Sequence, residues 1–196
     1  MTDSARMKIT DIRVLAALAH PVRLRILHLL LTVGESTATK CAAVVGESPS
    51  SCSYHLRHLE RFGLVERVSS GGDDPVDGRT RLWRSVASGF DFGEPHSTGS
   101  PELVAATAAL LAVGIDENVR LARHYLSHLD RVPEEWQDAA AFSTYALLVN
   151  VEELRHITDA IDAIVRPLRA VARDNAPPDA SPVRLSLEAF PRTDLE

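Results

Sequence analysis

Ser50, Ser51, Ser53, Tyr54, Arg57, His58 and Arg61 are hydrogen-bonding side chains gathered within a dozen positions. If that stretch is helical, Cys52, Leu56, Leu59 and Gly63 recur at i, i+4, i+7 and i+11, and the apolar members must pack inward. The polar set then takes the opposite face, with short hydroxyls near the N-terminal end and a tyrosine and two arginines further along. Small donors let a helix end approach base edges, and arginine can bond guanine O6 and N7 together. The positive end of the helix dipole favours a phosphate beside it. Further on, Arg79 and Arg81 are two apart and share one face of a strand, while Arg84 points to the other. Such a pair suits phosphate contact, which positions a protein without reading sequence. Asp73, Asp74 and Asp77 lie between this pair and the preceding strand, and they would repel a duplex. The loop tip carrying them is expected to swing away from it.

Other residues could do different chemistry. His124 and His128 are i, i+4 on a helix, a spacing that can hold zinc, with Glu117 and Asp130 nearby. They are the candidate metal pair, although two histidines on a solvated, dimer-facing helix need no metal. Cys41 and Cys52, the only cysteines, form no CxxC pair and are expected inward on adjacent helices as small hydrophobes. Glu134-Glu135 and Glu152-Glu153 stand in helix-start settings, where acids favour the dipole. Ser143, His156 and Asp159 can be drawn as a triad, but nothing in the spacing fixes their geometry. With no Gly-rich phosphate loop, HExxH or nucleophile elbow, the expectation is no catalytic residue, no cofactor and no enzyme.

These side chains need positioning elements, and the sequence supplies them. Residues 11–19 predict a short helix with Ile12, Leu15, Ala16 and Ala19 on one face. His20-Pro21 punctuates, and Pro21 suits the first turn of the next helix, where its missing N–H costs nothing. That helix sets Leu24, Leu27, Leu30 and Leu31 inward and ends at Gly34. A third helix covers 39–45. Ser48 then offers an N-cap before Pro49, and a fourth helix runs over 49–62. Residues 64–68 and 79–86 predict two antiparallel strands joined by a polar, turn-forming tip. Helices, a tight glycine turn and a small hairpin in this order predict a winged helix-turn-helix.

Net charge is −6 over 196 residues, but it is unevenly placed. Residues 1–90 hold 12 Lys/Arg against 9 Asp/Glu, and residues 91–196 hold 9 against 18. Charges are screened over about 8 Å at physiological salt, so a basic face can act beside an acidic half. Apolar residues make up 45% and charged residues 24%, ordinary for a chain that buries a core. No uncharged apolar run reaches the roughly 18 residues of a membrane span, and the N-terminus lacks a secretory layout. A cytoplasmic location is expected.

Beyond a polar connector at 91–100, Ser100-Pro101 opens a long helical stretch to about residue 131 carrying Leu103, Ala106, Leu110 and Val113 on one stripe. Its phase changes near Gly114, where a kink or a second helix would fit. Residues 142–149 predict a strand. Asn150 and Glu153 stand at capping-box spacing before a helix to about 173. Residues 183–190 alternate like a last strand. Trp136, Phe142, Tyr145 and Phe190 are candidates to line a cavity.

The segments ALAHPVRLRILHLL, SPSSCSYHLRHLERFGLVERV and DGRTRLWRSV resemble the ArsR-type winged helix-turn-helix regulators. The match covers roughly residues 11–86: an "HPxR" helix start, an "S-x-HL-x-x-L" recognition helix and a "GLV" strand entry. The resemblance implies a homodimer that places two recognition helices in successive major grooves, with wing arginines on phosphates. Two-fold symmetry implies an inverted-repeat operator with half-sites about 10 base pairs apart, or a multiple. It also brings metal and arsenical sensing to mind. The stretch equivalent to the arsenical site is Lys40-Cys41-Ala42-Ala43, one cysteine where two are needed.

The fold class expected is therefore mainly α with a small β wing: a winged helix-turn-helix plus a helical (α+β) C-terminal extension. Residues 1–90 form the DNA-binding unit, 91–100 the connector, and 101–196 the dimerisation and effector region. The expected function is sequence-specific double-stranded DNA binding as a homodimeric repressor, through helix 49–62 and the 68–80 wing. An unidentified small-molecule effector is a further candidate partner, and no membrane partner is expected. Two alternatives are a protein-interaction winged helix without sequence-specific DNA binding, and a metal-responsive repressor.

Overall fold

A computed structural model describes residues 7–68, 81–91, 100–169 and 175–194. Helix α1 (Ile12–Leu18) starts where the Asp11 side chain accepts the Arg13 N–H. Helix α2 (Pro21–Val33) opens on Pro21 and stops at Gly34, whose φ of 79° a side chain would strain. Helix α3 (Ala38–Val45) is capped by Thr37 and ends at Gly46 in the left-handed region. The Gly46 and Glu47 N–H groups both bond back to Ala42 C=O, which closes the turn into the next helix. Helix α4 (Pro49–Arg61) follows its Ser48 cap.

Three short strands form the wing sheet in the order β2 (Ser36–Thr37), β4 (Leu82–Ser85), β3 (Val65–Arg67), all antiparallel. Two more, β1 (Met7–Lys8) and β5 (Phe90–Asp91), pair in parallel. Strands β1, β2 and β5 were not anticipated; each is two residues long and carries no alternation to read. The strands expected over 64–68 and 79–86 are shorter than the hydrophobic pattern suggested, at 65–67 and 82–85.

One core joins these elements. Leu15, Leu18, Leu24, Ile26, Leu27, Leu30, Leu56, Leu59, Leu64 and Val65 are essentially sealed from solvent, with Trp83 behind the wing. Removing a buried leucine from such a cluster costs about 2–5 kcal/mol. The inward face expected for α1 needs correcting. Val14, Leu15, Ala17 and Leu18 are buried, whereas Ile12 and Ala16 are exposed. The helix is too short for one narrow stripe, because it packs on both α2 and a helix from the C-terminal half.

That helix is α5 (Pro101–Leu126), continuous through Gly114 with no second helix. Leu110 joins the core, and Leu103, Ala106 and Val113 pack against it, as their spacing predicts. The core therefore continues past the connector. A 3-10 turn (Leu129–Arg131), helix α6 (Glu134–Ala139) and helix α7 (Val151–Val165) follow. Asn150 and Glu153 make the reciprocal capping box at the start of α7. The strands expected at 142–149 and 183–190 are not formed; both stretches are irregular and exposed. A strand needs a neighbour for its backbone groups, and neither stretch has one among the described residues. The mainly α winged helix-turn-helix with a C-terminal extension is the architecture found. No single described helix is long and apolar enough to cross a membrane.

Candidate nucleic-acid interface

Helix α4 is held from behind and from its N-terminal end. Cys52, His55, Leu56 and Leu59 are buried beneath it, and α3 packs most extensively along it. Ser48 Oγ accepts the Ser51 N–H at 3.1 Å and lies 2.9 Å from Ser50 Oγ. Capping by serine is worth about 1 kcal/mol, and here it fixes the end from which the exposed side chains project.

The outward face carries Ser50, Tyr54, Arg57 and Arg61, all exposed, with Tyr54 57% exposed. Ser51, Ser53 and His58 are only half-exposed at its edges. His58 is wedged between aromatic neighbours, its ring 5.2 Å from Phe62 and 6.3 Å from Tyr54. Arg79 lies outside the described residues, as do Asp73, Asp74 and Asp77 and nearly all of the wing tip. Arg81 is exposed just before β4.

The arginines divide into two groups. Arg67 donates to Glu60 at 2.9 Å and lies 5.2 Å over the buried Trp83 ring. Arg84 donates to Glu66 at 2.8 Å, with Glu35 3.9 Å away. Arg67 thus braces the wing against α4 and Arg84 ties β4 to β3, and both cations are already paired with carboxylates. Among the described residues, Arg57, Arg61 and Arg81 have no carboxylate partner. Lys40 on α3 is also exposed. Cations left unpaired on the face of a rigid helix are what an incoming phosphate or base edge requires.

Sequence reasoning missed the histidines behind this face. His55 is buried, and its ring lies 4.8 Å from His20 and 5.3 Å from Tyr54. The signal was present, since 52, 55, 56 and 59 follow the i, i+3, i+4, i+7 pattern of a buried stripe. Burial lowers the pKa of both His20 and His55, and Arg23 lowers each further, with His20 also acting on His55. Burial, then Arg23, Arg61 and His20, lower His58 likewise. A neutral aromatic layer therefore supports Tyr54. Arg23 is anchored by donating to the Ala17 carbonyl.

The remaining candidates fall elsewhere. Cys41 and Cys52 are both buried and free. Burial raises the Cys41 thiol, and burial with Cys41 and Glu47 pushes Cys52 up to about 11. His124 and His128 stack at 4.2 Å, and His128 Nδ1 contacts the His124 carbonyl at 2.8 Å. Glu117 does not join them: it is buried and bonded to Arg25 and Arg120. Among the described residues no group of three or more His, Cys, Asp or Glu could hold a metal ion. The cavity expected from Trp136, Phe142, Tyr145 and Phe190 is not where those residues are. A cavity of about 450 Å³ lies instead among α2, α7 and residues 184–187, with Leu27, His28, Ile161, Val165, Arg184 and Leu187 on its walls.

A family model described as a helix-turn-helix domain matches residues 18–68, the span from the end of α1 to β3. The chain carries a helix-turn-helix domain. The match takes in α2, α3, the Gly46 turn and α4, and supports a DNA-binding transcriptional regulator as the coarse reading. Among solved structures, the chain is similar to the PcaV transcriptional regulator from Streptomyces coelicolor, determined with its natural ligand. Identity is 20%, with 71% of this chain and 74% of that chain covered and a TM-score of 0.29. So loose a superposition adds nothing to the geometry above. A comparison with curated proteins finds no match.

Proposed function

We propose that the chain is a sequence-specific, double-stranded DNA-binding repressor of the ArsR type, acting as a homodimer on an inverted-repeat operator. It is a binding protein and not an enzyme. The observation that carries this reading is the outward face of α4. Tyr54, Arg57 and Arg61 stand exposed, the two arginines without a carboxylate partner among the described residues, on a capped helix seated on a sealed core. Arg57 and Tyr54 would meet base edges in the major groove, with Ser50 at the helix start. Arg61, Lys40 and the wing arginines Arg79 and Arg81 would lie on phosphates. Repression then follows from occupancy of a promoter. If an effector acts, the cavity beside His28 and Arg184 is its candidate place, with a cation on the wall for an anionic group.

Sequencing the genomic fragments retained by the purified protein tests the reading. The expected result is an enriched inverted repeat whose affinity falls steeply with salt. Fragments without a shared sequence, or retention indifferent to salt, would instead favour a winged helix that binds another protein.

A further inference from the structure

Beyond Glu117 no described residue of the chain is buried, although more than sixty are described there. Their sequence is not that of a solvated tail. Helix α7 has a polar face and an apolar stripe of Leu154, Ile157, Ile161 and Val165 that is only half-buried, with Ile161 and Val165 facing α2 across the cavity. An amphipathic helix of this length owes its stability to packing of the apolar face. Helix α5 carries a second apolar stripe, Val104, Leu111, Ile115, Val119 and Leu126, all exposed and opposite to its core-facing one.

Residues 141–149, Ala-Phe-Ser-Thr-Tyr-Ala-Leu-Leu-Val, contain no charge and no proline. Phe142, Tyr145, Leu147 and Leu148 are exposed, Leu148 completely. Among the described residues none of their backbone groups bonds to another backbone group. Apolar residues on both faces of one stretch match a strand covered on both sides. An open strand edge normally carries lysine, proline or a bulge that blocks pairing, and residues 141–149 contain neither lysine nor proline. Tyr125 near the end of α5 stacks with Phe142 at 6.0 Å, so the outer stripe of α5 runs into the segment.

We infer that residues 141–149 pair as an antiparallel strand with the same residues of a second copy of this chain, and that this pairing builds the C-terminal dimer interface. The inference rests on the homodimer in the proposed function and adds where the copies meet. A second copy fits better than a foreign partner for three reasons. Antiparallel self-pairing about a two-fold axis is self-complementary, and an uncharged strand meets no like charge there. The flanking half of the chain is strongly acidic, so two copies must meet on its neutral part. The accessible surface is also large, 14151 Å², against about 9,100 Å² for a compact monomer of this mass. An obligate dimer interface of roughly 2,000–5,000 Å², half of it from each copy, would cover part of that excess.

Sedimentation velocity with hydrogen exchange on the full chain tests this, comparing wild type with Leu148→Arg and, separately, Tyr145→Glu. The expected wild type is a dimer with slow-exchanging amides at 142–149. Both variants should dissociate at least about 100-fold more readily and lose that protection, while amides of α2 stay protected. A dimeric wild type with fast exchange at 142–149, or variants that dimerise as tightly, would overturn the inference and leave the dimer reading intact. A wild type monomeric on the operator as well as free would overturn both. Slow exchange at 142–149 in a monomer would also overturn the inference, since the strand would then have an intrachain partner.

Discussion

Arg25 on α2 donates to Glu117 on α5 at 2.8 Å, and Glu117 is only 7% exposed. Arg120 binds the same carboxylate through both of its oxygens. Burial alone would raise the Glu117 pKa. The bonds from Arg120 and Arg25 outweigh it and hold the group below its usual value. The pair joins the first helix of the helix-turn-helix domain to the long helix behind it.

Glu117→Ala should therefore destabilise the protein by on the order of 3 kcal/mol, because Arg25 is left half-buried without its partner. Chemical denaturation of wild type and variant at equal protein concentration checks this. Arg120→Ala should cost less, since that side chain is more exposed.

Stability should also fall on acidification through His28. Burial, then the charge of Arg184, push its pKa down to about 4, against a smaller pull from Glu117 in the other direction. Arg184 donates toward His28 Nδ1 at 3.3 Å, which requires the neutral ring. Below about pH 6.5 the unfolded chain takes up a proton that the folded one refuses, so stability is full above 6.5 and declines down to about 4. The loss from His28 is on the order of 3 kcal/mol across that window. His20, His55 and His58 are shifted the same way and steepen the decline. Denaturation midpoints against pH should flatten in His28→Gln relative to wild type.

Arg61→Ala and Arg81→Ala should each weaken binding to every DNA sequence alike, and each should reduce the salt slope by about 1. Titrations at several salt concentrations, on operator and unrelated duplexes, measure both effects. Arg67→Ala should leave the salt slope unchanged, because that cation is spent on Glu60 and Trp83.

Neither thiol should react with an alkylating reagent in the folded protein at neutral pH. Both are sealed, and the Cys52 thiol stays protonated up to about 11. Mass spectrometry after iodoacetamide treatment should find labelling only when denaturant is added.

The helix-turn-helix was legible in the sequence because its signals are local. Ser48-Pro49, Gly34, Gly46 and the Cys52–Leu56–Leu59 stripe each act within a turn or two of the chain. The exposed face of α4 followed from that stripe, apart from the extent to which Ser51, Ser53 and His58 sink toward its edge. His55 was missed because histidine is usually placed outside, although its spacing is that of a core residue. The face of α1 was misread because α5, ninety residues later, packs on a side that local periodicity does not reveal. Residues 142–149 and 183–190 have strand patterns without strands. Pattern states what a segment can pair as; it does not supply the neighbour.

The most direct test of the account is the affinity of wild type and Arg57→Ala for the selected operator and for each of its single-base-pair variants. The account predicts a loss of about 1–3 kcal/mol on the parent operator, and loss of discrimination at one position in each half-site. An Arg57→Ala protein that binds the operator with unchanged affinity and unchanged preference at every position would contradict it, because the exposed face of α4 would then not be reading the duplex.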